Sequence, residues 1–128
     1  MSYRIRPIGV VHSGEANPPR HWSISQVEGE LEIWPRYRDG LSDIRPGERV
    51  VVLFVFHRSP RFARPHLKAV PPTRNELRGV FSTCSPVRPN PIGLSVVEVL
   101  SVEGPRLRVR GLDMLDGTPL LDIKPHKG

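Results

Sequence analysis

Between Gly79 and Gly93 the chain reads GVFSTCSPVRPNPIG, and Pro86, Pro89 and Pro91 fall within six residues of one another. Proline fixes φ and removes a backbone donor, and it restricts the residue before it. This stretch therefore cannot be the interior of a helix or of a central strand. It reads as a stiff loop between two strand-like runs, 78–82 before it and 94–102 after it. Rigid loops on a sheet or barrel commonly hold groups that meet a ligand in fixed geometry. Here the loop offers Ser85, Arg88 and Asn90, with Gly93 permitting close backbone approach. A plain surface connection stiffened by proline is the other reading, and the loop by itself leaves both open.

The rest of the chain carries the same punctuation. Its 128 residues suit one domain spanning 1–128, with 15 prolines and 11 glycines favouring short strands and many turns. Residues 3–12 mix Ile5, Ile8, Val10 and Val11 with polar neighbours and predict a first strand, with Pro7 at an edge or bulge. Residues 13–25 show no period and hold Pro19-Arg20-His21-Trp22, a binding arm or a connector anchored by its tryptophan. From Val27 to Trp34 apolar and acidic residues alternate, which predicts a half-buried strand. Asp39-Gly40 predicts a turn and 41–44 a short helical turn. RVVVLFVF, 49–56, is the most apolar run and predicts a strand buried on both faces.

Residues 57–78 carry Arg58, Arg61, Arg64, Lys68, Arg74 and Arg78 against the single acid Glu76, and Pro60, Pro65, Pro71 and Pro72 exclude a continuous helix. This long basic loop is either a phosphate-contacting surface or a solvated charged one. Arg61, Arg64 and Lys68, with Arg88 of the stiff loop, are the candidate RNA contacts. Two further strands, 94–102 and 106–112, flank Glu103-Gly104-Pro105 as a hairpin, the second with Leu107 and Val109 on one face and Arg106, Arg108 and Arg110 on the other. An acid-rich turn at 113–119 and a closing strand at 120–123 follow. Regularly spaced strands without a helix-length amphipathic segment predict an all-β protein, a barrel rather than βαβ units.

Several functions lack support. There is no G-x-G-x-x-G after a strand, no P-loop and no G-x-S-x-G elbow. One cysteine and five scattered histidines give no disulfide framework and no metal spacing. No run reaches membrane-spanning length and the first residues open no apolar leader, so a cytoplasmic protein is expected. A net charge of +6 makes nucleic acid a plausible partner. The remaining inventory is mixed: Asp113 and Asp116 on one loop, Ser85, Arg88 and Asn90 on another, and His57-Arg58 ending the apolar strand. It suits a zwitterionic adenosine cofactor, and other polar metabolites as well.

RPNPIG (88–93) and LDMLDGTPLLDIKP (112–125), with IGVVHS (8–13), Gly40-Leu41 and FHR (56–58), closely resemble the TsaA/TrmO, or YaeB-like, family across nearly the whole chain. The resemblance implies a homodimer of single-sheeted antiparallel β-barrels with long loops, binding S-adenosylmethionine without a Rossmann fold. It implies methylation of the exocyclic nitrogen of threonylcarbamoyladenosine beside the tRNA anticodon. Carried over by position, cofactor contacts fall on Pro19, Arg20, His21, His57, Arg58, Cys84, Leu94, Asp113, Met114, Leu115, Asp116, Gly117 and Thr118. His57 is a candidate base for the acceptor nitrogen, or else a strand-capping histidine. The chain departs from the family in having Cys84 where an arginine is usual, in His126 where an aromatic follows Lys-Pro, and in stopping at Gly128 where longer bacterial members continue. A non-catalytic module binding S-adenosylmethionine or RNA is the alternative function.

Overall fold

A computed structural model describes residues 1–71 and 75–127. Pro72 and Arg74, named above in the basic loop, and Gly128 lie outside the described residues. The strands are β1 (Gly9–His12), β2 (Glu28–Ile33), β3 (Arg49–Val55), β4 (Lys68–Ala69), β5 (Arg78–Gly79), β6 (Ile92–Glu103), β7 (Arg106–Arg110) and β8 (Pro119–Pro125). Six of them close an antiparallel barrel in the order β1-β2-β7-β6-β3-β8, with β8 returning to β1, while β4 and β5 pair separately. The expected all-β, single-sheeted barrel is therefore the fold.

Alternation places the core. Val11, Leu31, Ile33, Val50, Val52, Phe54, Val97, Val99, Leu107, Val109 and Leu120 point inward and are buried. Opposite Leu31, Leu107 and Val109, the outward residues of β2 and β7 are acids and arginines, so the period-two reading of both strands holds. On that wall Arg106 Nη1 meets Glu30 at 2.8 Å, Arg108 meets Glu28 at 3.3 Å and Arg110 meets Glu98 at 3.3 Å. His12 Nε2 lies 2.7 Å from Glu32, and this hydrogen bond above all holds the Glu32 carboxyl below its usual range.

Two expectations need correction. The first strand begins at Gly9, not at residue 3, and Tyr3 and Ile5 are exposed. Ile8 makes the last ladder bonds, with Leu120 and Trp34; before it Pro7 has no N–H to donate, and on the β2 side Pro35 turns the chain away into a 3-10 helix. Strand β3 is not buried on both faces: Val50, Val52 and Phe54 are inside, whereas Val51, Leu53 and Val55 on the outer face are half-buried. A barrel wall has one interior face, and a continuous apolar run does not reveal that. The short turn expected at 41–44 is present, with Ile44 N–H donating to the Leu41 carbonyl at 3.1 Å, and it follows a 3-10 helix, Pro35–Leu41, opened by a proline at its first position.

The run at 78–82 divides into β5 and a 3-10 turn, Val80–Ser82, and the basic loop contains another, Arg64–Leu67. Gly93 is required by packing, since a Cβ there would collide with the rings of Phe54 and Phe56. Because neighbouring strands run antiparallel, connections 13–27, 56–91 and 111–118 all emerge at one end of the barrel. Connection 34–48 and the tight Gly104-Pro105 turn lie at the other. Every candidate cofactor residue is on the three-loop end, with Leu94 two residues into β6.

Candidate functional site

The loops at that end are sewn together by side chains. Buried Ser25 donates through Oγ to the Leu112 carbonyl at 2.5 Å and accepts from Val27 N–H at 3.1 Å. Asp116 accepts from the Ser13 N–H at 2.9 Å, and Gly117 N–H donates to the Val11 carbonyl at 2.8 Å. Thr118 donates to the Leu115 carbonyl at 2.6 Å, and Gly117 takes φ of 81°, where glycine is favoured. Within 113–118, then, Asp116, Gly117 and Thr118 build the turn and the Met114 side chain joins the core. The Asp113 side chain is not used in that way, and Leu115 is half-buried.

Asp113 is the electrostatic centre. Its Oδ1 accepts a 2.5 Å hydrogen bond from Ser95, whose side chain is fully buried on the inward face of β6. Burial pushes the Asp113 carboxyl above its usual range, against the opposing pull of the Ser95 hydroxyl, its own main chain, the charge of His21 and the main chain at Trp22. Ser95, Asp113 and the Trp22 main chain thus meet, with His21 near enough for its charge to act on the carboxyl. His21 opens the 3-10 turn Trp22–Ile24, its Nδ1 accepting from Ser23 N–H at 3.2 Å. Arg20 is exposed beside it and Pro19 half-buried.

The other candidates make no hydrogen bond or ion pair to this cluster among the described residues. His57 and Arg58 are exposed; the His57 main chain bonds Val55, and its imidazole makes no hydrogen bond among the described residues. Any capping of β3 is therefore done by the main chain. Cys84 is exposed. Leu94 is 54% exposed on the outer face of β6, opposite Leu53.

The stiff loop uses much of its own polarity. Arg88 Nη1 donates to the carbonyls of Thr83 at 3.1 Å and Ser85 at 3.0 Å, while Thr83 and Ser85 accept from main-chain N–H groups within the loop. Phe56 N–H donates to the Pro91 carbonyl, clasping the base of the 56–91 connection. Arg61, Arg64 and Lys68 are exposed and make no ion pair among the described residues, whereas Arg78 pairs with Glu76. No group of three potential metal ligands occurs among the described residues, and none of their helices is long and apolar enough to cross a membrane.

Beside Asp113, on the outside of the barrel, lies a cleft of about 360 Å³ walled by Trp22, Gln26, Arg49, Glu98 and Arg110 over a floor of Val96. The sequence reading noted Trp22 but missed Arg49 and Ser95. Ser95 had a usable signal, being the one hydroxyl in the otherwise apolar inward row Gly93, Val97, Val99. Arg49 had none, since it reads as the polar start of an apolar strand.

The family model described as the tRNA-methyltransferase O N-terminal domain matches residues 9–127. The chain belongs to the TrmO family. It is 46% identical over 125 residues to an "S-adenosyl-L-methionine-binding protein" of Archaeoglobus fulgidus, covering 95% of this chain and 88% of that one. To the mouse "tRNA (adenine(37)-N6)-methyltransferase" it is 49% identical over 129 residues, 94% of this chain but 30% of the mouse protein. The crystal structure of TrmO from Pseudomonas aeruginosa superposes with a TM-score of 0.78 at 34% identity, covering 99% of this chain and 57% of that one. The chain thus spans little more than half of the TrmO whose structure it matches.

Proposed function

We propose that this TrmO-family barrel binds S-adenosylmethionine at its three-loop end and methylates the exocyclic nitrogen of an adenosine in tRNA, specifically threonylcarbamoyladenosine beside the anticodon. The observation that carries the reading is the half-buried Asp113 carboxyl, held by Ser95 and bonded by the Trp22 main chain where three loops converge. An anion in a partly desolvated setting suits a ligand bearing sulfonium and ammonium charge. The residues present fit that ligand: Asp113 for positive charge, the main chain about Leu115 for an adenine edge, and Leu94 with Leu53 as an apolar wall. The names of the archaeal, bacterial and mouse relatives support the same assignment.

Bound S-adenosylmethionine supplies an already activated methyl group, so the protein contributes mainly positioning and exclusion of water. Ser95 fixes the rotamer of Asp113. Leu94 and Leu53 offer the cofactor an apolar contact on the outer face of the strands. In this reading the exposed His57 imidazole, unbonded among the described residues, is the base that takes the proton the acceptor nitrogen must lose. Arg61, Arg64 and Lys68 meet tRNA phosphates, joined by whatever donors of Arg88 the stiff loop leaves.

The protein acts as a cytoplasmic homodimer in this reading; Ile92 and Leu94, exposed beside half-buried Val51, Leu53 and Val55, supply an apolar face that a second barrel can cover. Incubating protein, methyl-labelled cofactor and bulk tRNA tests the assignment, with label expected in adenosine nucleosides of the RNA. Saturable cofactor binding without transfer would instead favour the non-catalytic module, the description that the Archaeoglobus relative's name carries.

A further inference from the structure

The cleft beneath Trp22 has no part in the function described so far, yet it touches the proposed cofactor site from two directions. Along β6, Leu94, Val96 and Glu98 share the outer face, so the floor of the cleft at Val96 lies about 7 Å beyond Leu94. Along the arm, Trp22 forms the wall, its neighbour His21 is a candidate cofactor contact, and its main chain meets Asp113. Val96 is only 5% exposed despite its outward direction, because the Trp22–Ile24 turn folds over it.

The charges in this cleft are unequal in their commitments. Glu98 is the cross-strand partner of Arg49 and of Arg110 on its other side, but its carboxylate goes to Arg110 at 3.3 Å. Arg110 also approaches Glu28 at 3.8 Å. Arg49 has no carboxylate within ion-pair distance among the described residues. Its guanidinium lies over the Trp22 ring, 5.9 Å from the centroid. An aromatic face steadies a guanidinium while leaving its N–H edge free to fork onto a planar anion. Arg88, the basic residue of the stiff loop, is by contrast tied to its own carbonyls, and position 84 carries a thiol.

We infer that the Trp22–Arg49 cleft is a carboxylate subsite, with Arg49 as the residue that determines whether an acidic ligand group is accepted. The inference rests on the methyl-transfer reading, in which both reactants carry a carboxylate: the methionine moiety of the cofactor and the threonyl group of the acceptor nucleoside. Either can enter a cleft of about 360 Å³ that adjoins the cofactor wall. A guanidinium–carboxylate fork is the shared chemistry.

Calorimetric titration of wild type, Arg49→Ala and Arg49→Lys separates the sources. Each protein is titrated with S-adenosylmethionine and with its decarboxylated form, then, without cofactor, with tRNA bearing threonylcarbamoyladenosine and with the same tRNA bearing adenosine. If the cofactor's carboxylate is held, Arg49→Ala weakens S-adenosylmethionine by roughly tenfold to a hundredfold and leaves the decarboxylated form unchanged. If the acceptor's is held, the same loss falls on the modified tRNA alone. Arg49→Lys, which keeps charge but not the fork, shows a smaller loss for the same ligand. Equal losses for both members of each pair, as a phosphate contact would give, or no loss at all, overturn the inference. Arg49 is exposed, and a thermal melt of each variant shows whether the barrel is intact. A wild type that fails to bind either cofactor counts against the methyl-transfer reading, while the tRNA pair still decides the role of Arg49.

Discussion

The arginines of β7 and those of the 56–91 connection look alike in the sequence and do different things in the fold. On β7, Arg106, Arg108 and Arg110 alternate with core residues and each finds an acid on β2 or β6. In the connection, Arg58, Arg61, Arg64 and Lys68 find none among the described residues, although Arg78 takes Glu76. Regular strand pairing brings acids and bases of distant sequence into register, so positive charge on a wall is compensated. A proline-broken loop has no such partner and leaves its charge to solvent or to a ligand. A net charge of +6 is therefore not spread evenly: the β7 arginines are neutralised on the wall, whereas those of the 56–91 connection, at the end of the barrel where Asp113 sits, are left available.

The largest effect that can break this comparison is on tRNA binding. Replacing Arg61, Arg64 and Lys68 together by alanine is expected to flatten the dependence of log affinity on log salt by roughly one unit per lost contact, with cofactor affinity unchanged. Replacing Arg106 and Arg108 is expected to leave the slope as it was, because those cations already have partners. Filter binding across a salt series reads both, and an equal loss of slope in the two variants would erase the distinction.

A smaller effect sharpens it at Asp113. Asp113→Asn is expected to weaken S-adenosylmethionine by about tenfold to a hundredfold, as for a lost charge-assisted contact. The folded-state pKa is raised, so the folded protein holds this proton more tightly than the unfolded chain. Stability from this group is thus fully present below the unfolded pKa and is lost as pH rises through the folded one. Cofactor affinity runs the opposite way, rising as the carboxylate forms. Calorimetry from acid to neutral pH is expected to show that rise in the wild type and none in Asp113→Asn.

The smallest effect concerns the wall itself. Arg108→Ala, with its partner Glu28 at 3.3 Å and both side chains largely exposed, is expected to cost at most about 1 kcal/mol in chemical denaturation. A greater loss would mean that the ladder carries stability as well as neutrality.

What could be read in advance divides along the same line. Strands β2 and β7 and the hairpin at Gly104-Pro105 were legible because alternation and turn chemistry are local. The burial of β3 was misread because Val51, Leu53 and Val55 are apolar yet lie on the outside of a closed wall. The 19–22 arm and Asp113 were named from the residues and again through the family resemblance, but that they come together was not visible, because it depends on Ser95 holding Asp113 and on the Ser25 bridge to Leu112. Arg49 escaped because its significance comes from Trp22, which reaches it only after the 13–27 connection folds back over β6.

The most direct test of the central claim, that the three-loop end is the cofactor site, is a titration of S-adenosylmethionine into isotope-labelled protein followed by amide chemical shifts. The expected result is saturable perturbation confined to 13–27, 49–58, 79–98 and 110–118. Perturbation centred on 34–48 and the Gly104-Pro105 turn, or no saturation up to millimolar cofactor, would contradict it.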